Sequence, residues 1–405
     1  MDETTETTSS EPLAVGHGLR RLVVADEDDG CVLGRPDLGR YVTVPPAGGA
    51  FVRSLQDHGD LVRATRAATE VAGEEVDGED FVRALAGMGL LTDPEVDETR
   101  TRPLVTPGVA GVFFGRVAWC VYAVAVLGSL LAILSTPALR PGYSDVWFLR
   151  DKALSSLVVG LVGIALAGVH ELWHWLAGRA EGLSGRFRVS RRGVFLVFET
   201  DLTEVVTMPR ARRHGIYLAG MAVDSVILAM ALLVEWLALS GSGGLPAGVG
   251  RFAAAVAFIK VVGIGQQWAM VFLRSDVYAL LANLLGCHNL YRATWLTTKR
   301  RTVGLTTPES DELARIGEHD RAVAAWFGWV HLSGLVAVAA MVVFWVVPYL
   351  AGMVRWLVPV LARGDVGSGQ FWTAAGLLTL TAVTWLTPVV VAVRERRLRL
   401  AGRLL

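Results

Sequence analysis

Residues 169–175, which read VHELWHW, contain the side chains best suited to chemistry in this sequence. They form a His-Glu-x-x-His motif inside an apolar segment. Because residues four apart lie on one face of a helix, His170 and His174 could bind one zinc ion, with Glu171 acting as a base on a nearby water. The alternative is that both histidines are hydrogen-bonded packing residues and that Glu171 is a paired carboxylate. Three ionisable groups in one apolar helix are costly and typical of a functional site, which favours the zinc interpretation.

A catalytic zinc needs a third protein ligand and an open position for water. Asp276 is the best-placed carboxylate, because it follows a later apolar segment at the end expected on the same side of the membrane. Its alternative role is to pair with Arg274. His214 and His288 are alternative ligands, although His214 is expected to be a solvated interfacial residue and His288 lies in an amphipathic stretch.

The elements that must position these residues are long apolar segments. Of the 405 residues, 53% are hydrophobic, and six segments are long and apolar enough to span a bilayer. The predicted spans cover residues 108–135, 154–178, 216–240, 249–273, 323–347 and 371–393. Three cysteines, at positions 31, 120 and 287, lie far apart and form no CxxC pair. Neither a disulfide framework nor a thiolate zinc site is therefore indicated.

Arginines are concentrated on one side of the predicted spans. Eight lie in residues 179–213 and five follow residue 393. Few cations lie in the connections 136–151, 241–250 and 349–370. By the positive-inside rule, we expect a multi-pass protein of the cell membrane whose N-terminal domain and C-terminus are cytoplasmic. The zinc site would then open toward the cytoplasm.

The polar N-terminal part predicts a small soluble domain. Residues 1–12 are acidic and predict a disordered tail, and residues 93–107 predict a linker. Between them, residues 13–92 contain two β-prone runs, at 20–24 and 41–44. Three helical segments follow, at 50–56, 60–71 and 78–88. Acidic patches without a basic stripe argue against nucleic-acid binding.

These observations predict the fold class of a mainly α-helical polytopic membrane protein with a small N-terminal α+β winged-helix-like domain. The transmembrane domain is expected at residues 108–393, and a basic cytoplasmic tail at 394–405.

The segment VHELWHWLAGRAEG, followed about a hundred residues later by LRSDVYALLANLLGCHNL, resembles the site-2 protease family of intramembrane zinc metalloproteases, especially its peptide-maturation branch. The likeness covers about residues 154–290. It implies His170, His174 and Asp276 as zinc ligands and Glu171 as the base.

Two positions depart from that family's pattern. Trp173 and Val277 stand where the family usually has glycine. The first adds bulk beside the metal and the second removes a flexible backbone point, so altered substrate access or reduced turnover is expected.

Two further features fit the same interpretation. Residues 220–224 resemble that family's Gly-x-x-x-Asn/Ser/Gly element, whose polar side chain is associated with positioning the scissile carbonyl; Gly220 agrees with the pattern and Asp224 departs from it. Asp224, being an acid, could instead hydrogen-bond a ligand histidine or pair with Lys260. Residues 186–190 and 194–198 flank an Arg-Arg-Gly turn and predict a hairpin. This hairpin could hold an extended substrate along its free edge, or simply cover the helices.

The N-terminal segments GRYVTVPPAGGAFVRSL and VDGEDFVRALAGMGLL resemble the PqqD-like domain, also called a RiPP recognition element. That resemblance implies a module that binds the leader peptide of a ribosomally made peptide.

Taken together, the expected function is hydrolysis of a peptide bond in a membrane-associated peptide or single-span protein. The N-terminal resemblance implies maturation or export of a ribosomally made peptide as its setting. One alternative is a non-proteolytic membrane component that binds or exports a peptide. Another is a membrane-tethered DNA-binding regulator. A transporter is disfavoured, because Arg116, Glu235 and Lys260 form no readable relay and no internal repeat is apparent.

Overall fold

A computed structural model describes residues 15–27, 30–36, 38, 40–91, 105–183, 185–192, 195–201 and 203–400. The predicted tail at 1–12, most of the predicted linker and the last five residues of the chain lie outside the described residues. The chain divides into two compact units. The N-terminal unit comprises residues 1–106, 182–185 and 202–213, and the helical unit comprises the remainder.

The N-terminal unit contains a three-stranded antiparallel sheet in the order β1-β2-β3, followed by three helices. Its elements are α1 (Val15–Arg20), β1 (Val23–Glu27), β2 (Gly30–Arg35), β3 (Arg40–Val44), α2 (Pro46–His58), α3 (Leu61–Ala72) and α4 (Gly78–Gly87). Leu33, Phe51 and Leu85 are fully buried at its core. The predicted order of strands and then helices is present. The side chain of Asp60 caps α3 by accepting from the backbone N–H groups of Val62 and Arg63.

The short helix α1 and strand β2 are elements of this unit that the sequence does not predict. For β2 the reason lies in its burial. All six of its residues are buried, so the strand lacks the polar alternation by which a half-exposed strand is recognised. Helix α2 also begins earlier than predicted. It starts at Pro46. Proline is favourable there, because backbone N–H groups in the first turn of a helix have no acceptor within the helix and the one that proline lacks is not missed.

Six described segments of the chain are long and apolar enough to cross a membrane. These are Pro107–Ser135, Lys152–Ala180, Arg210–Ser240, Ala247–Ala269, Glu318–Ala362 and Gly369–Arg394. The helices within them are α5 (Pro107–Gly111), α6 (Arg116–Ser135), α7 (Lys152–Ala180), α8 (Arg210–Ser240), α9 (Ala247–Ala269), α13 (Glu318–Met341), α14 (Val347–Ala362) and α15 (Gly369–Leu400). The mainly helical class with six candidate spans is thus confirmed.

One predicted boundary is wrong. The connection expected at residues 349–370 is helical as far as Ala362, because α13 runs into α14 through a widened helical turn at Val342–Val346. A widened turn accommodates the proline at position 348 without ending the helix.

Two shorter groups of elements complete the helical unit. The strands β4 (Arg186–Arg192) and β5 (Phe195–Asp201) pair antiparallel with Arg192 opposite Phe195, which confirms the predicted hairpin. Between α9 and α13 lie α10 (Asp276–Leu284), α11 (Leu290–Thr302) and α12 (Thr307–Arg315). Helices α11 and α13 share a core around the fully buried Leu290, Leu296 and Phe327.

Candidate metal centre

His170 and His174 lie one turn apart near the end of α7, and both are buried. Their Nε2 atoms are 3.2 Å apart. As predicted from their spacing of four residues, both rings project from one face of the helix toward one point.

Asp276 reaches the same point from 102 residues beyond His174. It is the first residue of α10, and two contacts fix the turn that precedes it. Ser275 caps α10 by accepting from the Tyr278 N–H and donating to the Gln267 carbonyl. The Asp276 N–H donates to the Gln267 side-chain oxygen at 3.2 Å.

Arg274 has a left-handed backbone conformation (φ 61°), which turns the chain sharply just before the acid. The predicted alternative was an Arg274–Asp276 ion pair. Instead, the Arg274 guanidinium lies over the Tyr291 ring, 5.0 Å from its centroid. The Asp276 carboxylate faces the two histidines.

Three potential ligand atoms meet here. The Asp276 Oδ2 atom is 2.9 Å from His170 Nε2 and 3.2 Å from His174 Nε2. A tetrahedral zinc ion with bonds of about 2.0–2.2 Å holds its ligand atoms about 3.3–3.6 Å apart. A small outward movement of the three side chains would therefore accommodate an ion. Among the His, Cys, Asp and Glu side chains of the described residues, these three form a group whose ligand atoms lie close enough together to hold a metal ion.

The far side of each imidazole shows why a cation fits. His170 Nδ1 lies 2.9 Å from Asp224 Oδ2, and His174 Nδ1 lies 2.9 Å from the Ile216 carbonyl oxygen. Since a carbonyl and a carboxylate only accept, each Nδ1 is the donor. A neutral imidazole that donates from Nδ1 presents a lone pair at Nε2. Two such lone pairs and a carboxylate oxygen would repel one another unless a cation lies between them.

Gly220, predicted as a substrate-binding or supporting residue, lies on α8 directly beside this group. A Cβ atom at this position would be 2.5 Å from His174 Nε2 and closer still to His170 Nε2. Glycine therefore keeps open the space in front of the ligand nitrogens.

Asp224 has both of the contacts that the sequence left as alternatives. One carboxylate oxygen accepts from His170, and the other forms a very short contact with Lys260 Nζ. Both side chains are buried, on α8 and α9 respectively.

Glu171 lies on the same turn as the histidines and contacts β5. Its Oε2 atom accepts from the Thr200 backbone N–H at 3.0 Å and from the Thr200 hydroxyl at 3.3 Å. The same hydroxyl lies 3.0 Å from the Glu171 carbonyl oxygen. The sequence does not identify Thr200; the hairpin signal shortly after the motif indicates only that a strand returns near the helix.

The remaining predicted positions contribute less directly. The Trp173 indole donates to the Tyr122 hydroxyl at 3.0 Å and packs edge-on against Phe113, so its bulk is accommodated by the first span. Val277 is buried in the first turn of α10. His214 and His288 are not part of the described ligand group.

Comparisons with protein-family models, curated proteins and solved structures find no match to this chain.

Proposed function

We propose that this chain is an intramembrane zinc metallopeptidase of the site-2 protease type, which hydrolyses a peptide bond in a membrane-associated peptide or single-span protein. The observation that carries the proposal is the meeting of His170, His174 and Asp276 at one buried point, with Glu171 on the same helical turn. Two imidazoles and one carboxylate are a ligand set typical of catalytic zinc, and they leave a fourth position open.

Charge supports a divalent ion. When ionised, the carboxylates of Glu171, Asp224 and Asp276 together with the Lys260 ammonium carry two net negative charges. A buried group of that charge is costly in an apolar environment unless a cation offsets it. A divalent cation brings the group to neutrality, and nitrogen-rich coordination favours zinc over magnesium or calcium.

Bound zinc would supply Lewis-acid chemistry, which activates a water molecule and polarises the substrate carbonyl. The residues of the chain do the rest. Glu171 accepts the proton of the attacking water and passes it to the amine nitrogen as the C–N bond breaks. Thr200 holds one oxygen of that carboxylate in place, while Asp224 and the Ile216 carbonyl fix the two imidazole planes.

Strand β5 offers a way to present the substrate. Peptide hydrolysis needs an extended segment, because a helix hides its carbonyls in internal hydrogen bonds. The Thr200 N–H points out of the β4–β5 pair toward Glu171, so the edge of β5 that does not pair with β4 runs alongside the proposed base. An extended peptide added to this edge would lie within reach of Glu171.

The arginine distribution supports a site that opens to the cytoplasm, where the N-terminal unit would also lie. That unit has the order of strands and helices expected of a PqqD-like domain. It would bind the leader of a ribosomally made peptide and so deliver a maturation or export substrate.

Purified full-length protein tests the proposal with two variants. We expect about one zinc per chain in the native protein, loss of that zinc in His170→Ala, and full zinc content in Glu171→Gln. Membranes from a host lacking the chain serve as substrate, and new amino termini are identified by mass spectrometry. Termini produced by the native protein and absent with Glu171→Gln support the peptidase. Identical termini with both zinc-loaded proteins would contradict it and favour a peptide carrier.

A further inference from the structure

The helical unit holds a buried ion pair behind the metal centre. Asp224 on α8 and Lys260 on α9 lie inside candidate spans, and their exposed fractions are only 5% and 4%. Their charged groups are in very short contact. A lysine in this setting is costly unless it has a partner and a role.

Lys260 joins three helices at one point. Besides Asp224, its ammonium lies 3.4 Å from the Leu166 carbonyl oxygen of α7. Leu166 is one helical turn before His170. A single side chain on α9 therefore contacts the helix that carries the two histidines and the carboxylate that contacts one of them.

The Asp224 carboxylate divides its two oxygens between these neighbours. Oδ1 contacts Lys260 and Oδ2 contacts His170 Nδ1. Anchoring one oxygen fixes the plane and direction of the other. A carboxylate freed from Lys260 would be a mobile anion close to a divalent cation, able to leave the imidazole and move toward the ion itself.

We propose that Lys260 is a positioning residue of the metal centre, acting through Asp224 on the His170 ring and thereby setting the affinity and geometry of metal binding. Lys260 is not one of the three residues whose potential ligand atoms meet, so its effect on metal binding would be indirect. This inference rests on the proposed metal centre but not on peptide hydrolysis.

The test compares metal binding in Lys260→Met, Asp224→Asn and the double variant. Loss of either partner alone leaves a buried uncompensated charge, so each single variant is expected to unfold at a lower temperature than the native protein. The double variant removes both charges and is expected to recover most of that loss. It remains informative even if a single variant fails to fold.

Zinc dissociation constants are measured on the full-length detergent-solubilised protein by competition with a chelator. We expect Lys260→Met, which keeps the Asp224 carboxylate, to bind zinc about 10–100-fold more weakly than the native protein, and the double variant to have the same affinity as Asp224→Asn, because Lys260 acts through Asp224. Cobalt is loaded in place of zinc as a second probe, and its visible absorption bands are expected to shift because the His170 ring is no longer held. Glu235→Gln, on the same helix as Asp224, is the matched control and should leave affinity and spectrum unchanged.

A purely structural ion pair predicts a different result. The variants would unfold at lower temperature while their zinc affinity and cobalt spectrum stayed native, and that outcome would overturn the inference alone. A native protein that binds no zinc would overturn the metal centre and this inference together. Absence of peptide cleavage would bear only on the proposed peptidase activity.

Discussion

At the residue scale, two contacts decide what the histidines and the glutamate can do. One is the close approach of Gly220 to the two Nε2 atoms, and the other is the hydrogen bond from the Thr200 hydroxyl to Glu171.

The candidate ligands His170 and His174 are found from their spacing of four, and Glu171 from its place between them. Asp276 lies 106 residues from His170 and is indicated by its position after a span and by family resemblance. Thr200 cannot be found in this way, because a threonine in a hairpin has no signal until the strand is placed against the helix.

Gly220→Ala would place a methyl carbon against both Nε2 atoms. We expect the zinc dissociation constant to rise by about 100-fold or more, since both ligands must turn away. Gly215→Ala, on the same helix, is the control, because its Cβ would make an ordinary contact with Trp119 at 3.5 Å. Chelator competition on both purified variants measures the effect. Native zinc affinity in Gly220→Ala would show that the ion does not lie between these histidines.

Thr200→Val removes the hydroxyl that contacts Glu171 but leaves the backbone N–H bond. A hydrogen bond to a charged group is worth about 1.5–3 kcal/mol, so we expect the cleavage rate to fall about tenfold or more at unchanged zinc content. Thr200→Ser keeps the hydroxyl and should retain most of the rate. Equal cleavage rates for the valine and serine variants would show that the Thr200 hydroxyl does not position Glu171.

At the element scale, the position of Asp276 in the proposed metal centre depends on how α13 supports the turn before α10. Gly334 on α13 allows the buried Phe272 ring to pack closely, four residues before Asp276. Helix types and spans follow from hydropathy in the sequence. This packing does not, because a glycine at a helix contact has the same pattern as one facing lipid.

Gly334→Ala would put a Cβ 2.6 Å from Phe272 Cγ and closer still to other ring carbons. Overpacking of this kind costs about 1–3 kcal/mol, and displacement of the turn should weaken zinc binding about tenfold. Adding Phe272→Leu should restore part of both. Gly263→Ala, where a Cβ meets nothing within 4 Å, is the control. Unchanged zinc affinity in Gly334→Ala would show that α13 does not position Asp276.

Helices α11 and α12 are joined by ion pairs that make their association depend on pH. Hydrogen bonding from Lys299 lowers the pKa of Glu309 to about 2, and Arg292 lowers the pKa of Glu312. Carboxyl groups with a depressed folded-state pKa stabilise the fold fully above their unfolded pKa of about 4.3 and lose that effect as pH falls toward the folded value.

We therefore expect amides of residues 307–315 to be more protected from hydrogen exchange in the native protein than in Glu309→Gln at pH 6. The difference should shrink as pH falls from about 4.3 toward 2.5, because the Glu309 carboxyl group of the opened state then takes up a proton that the folded state still releases. Each comparison is made between the two proteins at the same pH, which cancels the intrinsic rate. A difference that is constant across this range would contradict the assignment.

At the scale of the whole molecule, the six apolar segments are readable from sequence because hydropathy over about 20 residues exceeds what local irregularity can hide. The continuous α13–α14 segment is the exception, because Pro348 in the sequence predicts the end of a helix at a point where the helix continues. Strand β2 was hidden for the opposite reason, because burial on both faces removes alternation.

The proposed orientation predicts which connections face outward. In a protein whose three native cysteines are replaced by alanine, Ser242→Cys should react with a membrane-impermeant maleimide in intact cells. Ser310→Cys should react only after permeabilisation. Both serines are exposed, so access and not burial decides the result. The reverse labelling would invert the orientation and place the metal centre toward the outside.

X-ray absorption at the zinc edge of the zinc-loaded full-length protein tests the central claim most directly. We expect one ion with nitrogen and oxygen ligands at about 2.0–2.2 Å and the outer-shell scattering of two imidazoles, reduced to one in His174→Ala. Zinc bound without imidazole scattering, or unchanged scattering in His174→Ala, would contradict a metal centre formed by His170, His174 and Asp276.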